Sequence, residues 1–430
     1  MSTAALNPNA RASQTLTLNM KLLGHHELDG FGGIGEGCTM QITKDNRRIL
    51  WLAHESAPKN FTAVDVSDPL NPKMVVQTEL PHNQVRSNSL EITGDIMAVA
   101  YQVRGGGTPN DPNRIKSDLD LGLKPAGFDL FDISTPEKPR LISHFDCSGP
   151  HSLGVHCLWF VDGEYIHISS GAPDFQPRNS KDHQFYRIID VRNTSKPVEV
   201  GRWWYPGQRE GDSEPPMPRH PKFDGGYRPH NMTIYPERPD RAYIGYIDGG
   251  AVILDISDKA HPKEITKFRY SPPMNGMTHT VMPLLDRDLI VISDECNKDD
   301  GVDWPKLVWI VNAADETNLV PHSSLPLPEV EAFGKRGGRF GAHNLHENYP
   351  HKQSWRSDQI IVGAFFNAGV RAYDISNPYQ PSEIAYFVPG APTLSPKGAI
   401  QINDVYIDDR RLVYAVDRFS GGLYILEMNV

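Results

Sequence analysis

The chain has 430 residues, of which 39% are hydrophobic and 22% charged, and its net charge is −10. No apolar run reaches the roughly 18 residues that a membrane-spanning helix requires. The acidic balance, without any block of lysine or arginine, argues against a nucleic-acid partner, because phosphate binding needs a basic face. The N-terminal segment lacks the apolar stretch of a secretory signal, and the four cysteines are widely spaced. We therefore expect a cytoplasmic protein with reduced thiols and no membrane partner.

In chain order, the N-terminal residues 1–14 are expected to form a flexible tail, and residues 15–28 (TLTLNMKLLGHHEL) have the composition of strands. A repeat then begins, in which an apolar strand ends at an Asp and is followed by Ser and a proline-bearing turn. Its marker residues are Asp65, Asp132, Asp190, Asp255, Asn312, Asp374 and Glu427. The spacing of 53 to 67 residues between markers fits a blade of four strands.

Seven markers predict an all-β fold, a seven-bladed β-propeller with four antiparallel strands per blade, formed as a single domain by residues 15–430. The chain stops after LYILEM, when only three strands of the last blade have been made. We expect the N-terminal strand to supply the fourth strand and close the ring, which removes two exposed sheet edges. The VDVSDPLNP and LDISD motifs resemble the LVIVD-repeat propellers, and this resemblance implies the fold rather than a function.

The long irregular loops all fall on one face of the predicted propeller, called here the top, where each inner strand begins and each second strand ends. They are residues 102–126, 171–184, 204–228, 295–306 and 326–341. The turns predicted for the opposite face are short. Loops concentrated on one face of a rigid scaffold are typical of a binding or active site.

Histidines occupy equivalent places at the beginning of the inner strand in four consecutive blades. They are His156, His230, His279 and His343. Four imidazoles at one level of the central channel predict a site for a divalent first-row transition metal such as Fe, Mn or Zn. The alternative is a structural histidine that hydrogen-bonds to its own blade. For His346, three residues beyond His343, we expect structural packing, because residues three apart on a regular strand face opposite sides.

Charged residues near the same level are candidates for binding and catalysis. They are Arg86, Arg228, Asp294, Glu295 and Glu36. The arginines, together with Arg339, are able to bind a carboxylate or phosphate. The acids Asp294 and Glu295 are candidates to orient an imidazole or to act as a general base, and Glu36 to complete the surroundings of the histidines. Salt bridges between loops and solvated acids are the alternatives.

The four-histidine arrangement is similar to the iron site of carotenoid-cleaving oxygenases, which would make His156, His230, His279 and His343 the matched ligands. It is also similar to propeller polysaccharide lyases such as oligogalacturonate lyase. We predict a metal-dependent lyase or hydrolase that cleaves a small, anionic or aromatic substrate, with the metal as Lewis acid, because histidines on adjacent blades leave the other blades free for substrate. The alternatives are an iron oxygenase that performs oxidative cleavage and a non-catalytic protein-interaction scaffold.

Overall fold

The computed structural model describes residues 12–30, 34–55, 58–82, 84–103 and 126–430. Residues 1–11 of the predicted tail and residues 104–125 of the first long loop therefore lie outside the described residues. The N-terminal segment forms β1 (Leu16–Leu18) and β2 (Met20–His26). Seven four-stranded antiparallel sheets form the blades of a propeller, which confirms the predicted all-β fold.

The first three blades follow the predicted order, from the inner strand to the outer strand. Blade 1 consists of β3 (Ile34–Ile42), β4 (Arg48–His54), β5 (Lys59–Asp65) and β6 (Lys73–Glu79). Blade 2 consists of β7 (Val85–Thr93), β8 (Ile96–Val103), β9 (Gly127–Asp132) and β10 (Arg140–Asp146). A short hairpin follows, with strands β11 (Ser148–Gly149) and β12 (Ser152–Leu153). Blade 3 consists of β13 (Val155–Trp159), β14 (Tyr165–Ser170), β15 (Phe185–Asp190) and β16 (Val198–Trp203).

Blades 4 and 5 are built in the same way. Blade 4 consists of β17 (Met232–Tyr235), β18 (Arg238–Tyr246), β19 (Gly250–Asp255) and β20 (Lys263–Phe268). Blade 5 consists of β21 (Thr278–Leu284), β22 (Leu289–Asp294), β23 (Val308–Asn312) and β24 (Val320–Ser324). Helical turns are short: Leu28–Gly30, Ser180–Asp182, Leu285–Arg287 and α1 (Val330–Phe333). None of the helices in the described ranges is long and apolar enough to span a membrane.

The last two blades share the N-terminal segment. Blade 6 contains β25 (Ile360–Ala364), β26 (Val370–Asp374) and β27 (Ser382–Val388), and blade 7 contains β28 (Ile402–Ile407), β29 (Leu412–Asp417) and β30 (Leu423–Met428). Strand β2 pairs antiparallel with β30, so that Met20 faces Met428, and this confirms the predicted closure. Strand β1 continues onto the neighbouring blade and pairs with β27. The N-terminal segment therefore adds an outer strand to two blades rather than to one.

The inner segment of blade 6 is less regular than the sequence predicts. In place of a continuous first strand, His343 N–H donates to Ala364 O at 2.9 Å, and an isolated bridge joins Leu345 to Gly363. These bonds still place the segment inside β25, as the inner layer of the blade.

The repeated motif forms the turn that follows the third strand of a blade. In six blades the marker residue is the last residue of the third strand, and its side-chain oxygen accepts a hydrogen bond from the backbone N–H two residues later, at 2.7–3.0 Å. At Asp132, the hydrogen bonds from Ser134 are the main cause that lowers the carboxyl pKa to about 2. The repeat is thus structural, as predicted.

Blades 7 and 1 also meet through a buried carboxylate. Asp408, fully buried, accepts hydrogen bonds from Arg410 Nε at 2.7 Å and from the Tyr414 hydroxyl at 2.9 Å. Arg48 of blade 1 lies 3.6 Å from the same carboxylate and binds Asp409 at 2.6 Å. The hydrophobic core lies between the blades, where side chains of adjacent sheets pack together; Trp51 and Phe61 of blade 1, for example, belong to one cluster with Leu90 and Val99 of blade 2.

Candidate metal centre

A β-bulge interrupts the pairing of the inner strand in every blade. The register shifts lie between Ile34 and Cys38, Ser87 and Leu90, Val155 and Cys157, Thr278 and Thr280, and Ile402 and Asp404. In blade 4, His230 N–H donates to Gly245 O at 2.7 Å while Gly245 N–H donates to Asn231 O at 2.9 Å, so two residues face one. The same pattern joins His343 and Asn344 to Ala364 in blade 6. A bulge redirects side chains that regular alternation would place on opposite faces.

Residues from these bulges, together with Glu295 directly after β22, converge on one buried point. Six side chains meet there: Glu36, His156, His230, His279, Glu295 and His343. The Nε2 atoms of His156 and His230 are 2.9 Å apart. Glu36 lies 3.5 Å from His343 Nε2 and 3.7 Å from His279 Nε2, and Glu295 lies 3.7 Å from both His230 Nε2 and His343 Nε2. All six residues are at most 7% exposed. The four predicted histidines thus form one cluster with the two glutamates.

In each of the four rings an oxygen atom binds Nδ1. The partners are Gln102 Oε1 for His156 at 3.0 Å, Asn231 Oδ1 for His230 at 2.9 Å, Thr280 Oγ1 for His279 at 2.8 Å and the Asn403 carbonyl for His343 at 2.5 Å. The carbonyl oxygens of Gln102, Asn231 and Asn403 favour protonated Nδ1 atoms in their three partner rings, which leaves the Nε2 lone pairs of those rings directed into the cluster. The Thr280 hydroxyl can donate to His279 Nδ1 or accept from it. Backing of one ring nitrogen by an acceptor is typical of metal-binding histidines.

Three atoms in the cluster are buried and have no hydrogen-bond partner within the described part of the chain: Glu36 Oε2, His279 Nε2 and His343 Nε2. Burying such polar groups without a hydrogen bond costs free energy. Their convergence therefore indicates that a further group binds between them. Three sets of these residues each bring ligand atoms within 4.8 Å of one another: Glu36 with His156 and His230, Glu36 with His279 and His343, and Glu295 with His230 and His279. Imidazole and carboxylate donors fit a first-row divalent metal.

The electrostatics also favour a bound cation. Burial lowers the pKa of His230 to about 4 and that of His156 well below its usual range. Both rings are therefore neutral at pH 7, as metal ligands must be. Burial opposes ionisation of Glu36, but the surrounding histidines outweigh it and hold its pKa well below the usual range. Burial also opposes ionisation of Glu295, but His343 and Arg339 outweigh it and lower the pKa of Glu295 to about 2. Glu36 and Glu295 therefore both favour the ionised form.

Four arginines surround the top of the cluster: Arg86, Arg228, Arg339 and Arg418. Arg86 and Arg418 share Glu55, and Arg339 binds Glu295 at 2.7 Å. Arg228 differs, because its described partners are neutral oxygens: Gln184 Oε1 at 2.6 Å and Gly225 O at 3.2 Å. Burial lowers the pKa of Arg228, yet a guanidinium stays charged at neutral pH. Three of the four guanidinium groups are thus paired with a carboxylate, whereas Arg228 forms hydrogen bonds to neutral oxygens.

Asp294, one of the predicted candidates, lies apart from the cluster. Asp294 is bonded to the Tyr270 hydroxyl, and burial raises its pKa to about 6, while the Nδ1 atom of His279 binds Thr280 instead. Because Asp294 ends β22 at the register of Thr278, it faces that residue rather than the bulge. His346 is structural: its Nε2 bonds to Trp355 O at 2.7 Å and its Nδ1 accepts the Ile407 N–H.

Sequence reasoning missed four residues at the site: Gln102, Glu55, Arg418 and Glu347. The first three lie at or just beyond the ends of second strands, which return to the same mouth as the inner strands begin. Extending each predicted second strand by one residue would have found them. In blade 1 Glu36 lies at the level of the histidines, because the bulge inserts extra residues after Ile34.

The fold and the site together define a seven-bladed propeller with a buried cluster of histidine and glutamate side chains. Residues 240–270, in blade 4, match the model of the LVIVD repeat, which confirms the resemblance seen in the sequence. A search of the curated proteins finds no match. Among solved structures, the N-terminal domain of Nup159 is similar over 95% of both chains, with 12% identity and a TM-score of 0.53. A streptogramin B lyase is similar over 96% of this chain and 98% of that one, with 11% identity and a TM-score of 0.51. These likenesses concern the fold alone.

Proposed function

We propose that the protein is a metal-dependent enzyme that cleaves a small anionic organic molecule at the top mouth of the channel, by elimination or hydrolysis. The observation that carries the proposal is the convergence of His279 Nε2, His343 Nε2 and Glu36 Oε2, which are buried and have no hydrogen-bond partner among the described residues. His156 and His230 complete the ligand set, and the metal would be Fe, Mn or Zn. When bound, it supplies Lewis-acid polarisation of a substrate oxygen.

The chain's own residues account for recognition of the substrate. Arg228 is suited to bind a carboxylate or phosphate, because its described hydrogen-bond partners are neutral and the carboxylates of Asp248, Glu295 and Asp182 act on its charge without a hydrogen bond to it. Arg86 and Arg418 are held in place by Glu55 and add to the positive potential. Glu295 is an ionised carboxylate with a pKa of about 2, which makes it a weak base. We therefore assign Glu295 to orienting Arg339 and balancing charge rather than to abstracting a proton.

An iron oxygenase is the second candidate, and the observation that favours it is the presence of four imidazoles in one cluster. The carboxylate of Glu36 within the same set favours the Lewis-acid reading. That a streptogramin B lyase shares the fold shows that lyase chemistry occurs on such a scaffold, while the low identity keeps that likeness to the fold. Oxygen uptake with the iron-loaded protein separates the two candidates.

Metal analysis tests the proposal against a non-catalytic scaffold. Protein purified without chelator should contain about one first-row metal ion per chain, whereas less than about 0.2 per chain would overturn the proposal. The His279→Ala variant should lose the metal and keep its circular-dichroism spectrum. The matched control is His167→Ala, since His167 is equally buried but is bonded to Tyr186, outside the cluster. A panel of carboxylates and phosphates, followed by ultraviolet absorbance for newly formed double bonds, then tests for elimination.

A further inference from the structure

A second cavity, of about 340 Å³, lies between the loops of the top face. Its wall comes mainly from the loop 204–228, the connection between blades 4 and 5, and the loop 295–306. The described wall includes none of the six cluster residues and none of the four arginines at the mouth. The volume falls in the range of roughly 300–1,000 Å³ that is usual for small-molecule sites. We call the cavity the lysine pocket, after the four lysines in its wall: Lys181, Lys222, Lys298 and Lys306.

Lys306 is a buried cation in this wall. It is 1% exposed, and among the described residues its Nζ donates one hydrogen bond, to Gly276 O at 3.0 Å. Asp303 lies 3.6 Å from the same atom, and Asp294 acts on the ammonium at longer range. Because an ammonium has three N–H donors, Lys306 keeps the capacity to donate to a group inside the cavity that it lines. A buried charge is costly unless such capacity is used.

The wall contains two aspartates beside the four lysines, and both carboxylates already have partners. Asp224 accepts a hydrogen bond from Lys181 Nζ at 3.2 Å and also lies 2.8 Å from Arg219. Asp303 accepts the Asn297 N–H at 2.9 Å in addition to its contact with Lys306. The wall therefore has more cations than anions, which favours an anionic ligand.

His220 adds a neutral donor to the same wall. Its Nδ1 accepts the backbone N–H groups of Lys222 at 3.1 Å and of Phe223 at 2.8 Å. A ring nitrogen that accepts a hydrogen bond carries no proton, so the proton of this ring is on Nε2. His220 Nε2 can therefore donate a hydrogen bond to a ligand.

Hydrogen bonds between the loops hold the pocket in shape. Asn275 Nδ2 donates to Asp303 O at 2.9 Å and to Trp304 O at 3.0 Å, which joins the connection between blades 4 and 5 to the loop 295–306. Lys181 Nζ donates to Asp224 O at 2.9 Å, which joins the loops 171–184 and 204–228. A site that is already formed loses less conformational entropy when a ligand binds.

We propose that the lysine pocket binds a phosphate group, either as the free anion or as the phosphate monoester of a small organic molecule. Lysines act as point charges that can surround a tetrahedral anion, whereas the paired donors of arginine match a planar carboxylate. The half-buried ring of Phe223 and the buried Met277 offer apolar contacts to an organic substituent. The pocket is separate from the metal cluster, so this inference does not depend on the proposed function.

Isothermal titration calorimetry at constant ionic strength measures the binding of inorganic phosphate to the protein as purified. We expect a dissociation constant below about 1 mM, and weaker binding of both inorganic phosphate and phenyl phosphate would overturn the proposal. Acetate should bind more weakly than either, and equal affinity for acetate would overturn the assignment to phosphate. Phenyl phosphate distinguishes the two sources: tighter binding than inorganic phosphate identifies a monoester, and weaker binding identifies the free anion.

Lys306→Met should weaken phosphate binding about tenfold to a hundredfold, because it removes a buried charged donor. The double variant Lys222→Gln/Lys298→Gln changes only exposed side chains of the wall and should weaken binding about threefold to tenfold. This double variant decides the outcome if Lys306→Met does not fold. The matched control is Lys44→Gln/Lys73→Gln, which removes two exposed lysines of blade 1 and should bind phosphate like the wild type. Equal weakening in the two double variants would overturn the proposal, because binding would then follow net charge alone.

Two further variants separate the lysine pocket from the channel mouth. His279→Ala removes a proposed metal ligand, and Arg228→Met removes the arginine assigned to the substrate. Both should bind phosphate as tightly as the wild type, and loss of binding in either would place the anion at the mouth and overturn the proposal. If the purified protein contains no metal, the proposed function fails, while the same titrations still decide whether the lysine pocket binds phosphate.

Discussion

His156 and His230 meet edge to face, with their Nε2 atoms 2.9 Å apart, although they belong to neighbouring blades. The nearest partner of each Nδ1 atom is an amide oxygen, which favours a proton on Nδ1 and therefore opposes a hydrogen bond between the two Nε2 atoms unless one ring becomes cationic. Burial opposes that, because it lowers the pKa of both rings. Two nitrogens that bind one ion at about 2.1 Å and at right angles would be ~3.0 Å apart. The pair is better suited to share a metal than a proton.

This relationship predicts that the metal stabilises the fold. At a free Zn²⁺ concentration 100 times the dissociation constant, the free energy of unfolding should rise by about 2.7 kcal/mol. Thermal unfolding with and without the ion measures the effect. In His156→Ala the gain should shrink, whereas His167→Ala should keep it. An equal gain in wild type and His156→Ala would show that His156 is not a ligand.

We expect Arg228 to contribute to ligand binding but not to the stability of the ligand-free protein. Because its described partners are neutral, replacing its charge in Arg228→Met should leave the melting temperature unchanged or raise it, while binding of anionic ligands at the mouth is lost. Arg371 provides the contrast: it is buried and binds Glu383. Arg371→Met leaves the Glu383 carboxylate without its arginine partner and should lower the melting temperature. Thermal scans in the absence of anions measure both, and a large drop for Arg228→Met would contradict its assignment to the substrate.

Asp408 should be essential to the junction of blades 7 and 1. In Asp408→Asn an NH₂ group meets the donors Arg410 or Tyr414, and we expect a loss of about 2–4 kcal/mol in the free energy of unfolding. Asp409→Asn removes an exposed partner of the same Arg48 and should cost less than about 1 kcal/mol. Urea unfolding compares the two variants, and equal losses would argue against a special role for the buried carboxylate.

His346 should make the fold sensitive to acid. Burial lowers its pKa to about 4, against 6.5 for a free imidazole, so unfolding takes up a proton between those pH values. The free energy of unfolding should therefore fall as the pH drops from 6.5 to 4, with at most about 3 kcal/mol from this residue. In His346→Gln the free energy of unfolding should depend less steeply on pH, by the equivalent of up to one proton taken up on unfolding. The exposed control His261→Gln should keep the wild-type dependence. Parallel urea series at pH 7, 5.5 and 4.5 measure the slopes.

The blades could be predicted from the sequence because the marker turn repeats: Asp132 and its counterparts must each close the same turn at the end of a third strand. The level of the four histidines followed from that register. The bulges could not be predicted, because they depend on which residue faces which across two strands, and alternation alone assigns His230 and Asn231 to opposite faces. For the same reason the hydrogen bond from Asn231 of blade 4 to Glu347 of blade 6 could not be predicted.

Ring closure and the metal site depend on the same long-range contacts. Met20 pairs with Met428, and Glu36 of blade 1 meets His343 of blade 6 only once blade 7 has joined them. Such contacts carry the largest loop-closure entropy in the chain and form late in folding. An open ring therefore holds the four histidines of blades 3 to 6 and Glu295 without Glu36. A metal ion would therefore bind tightly only after blade 7 has closed the ring. Metal uptake would then report that closure.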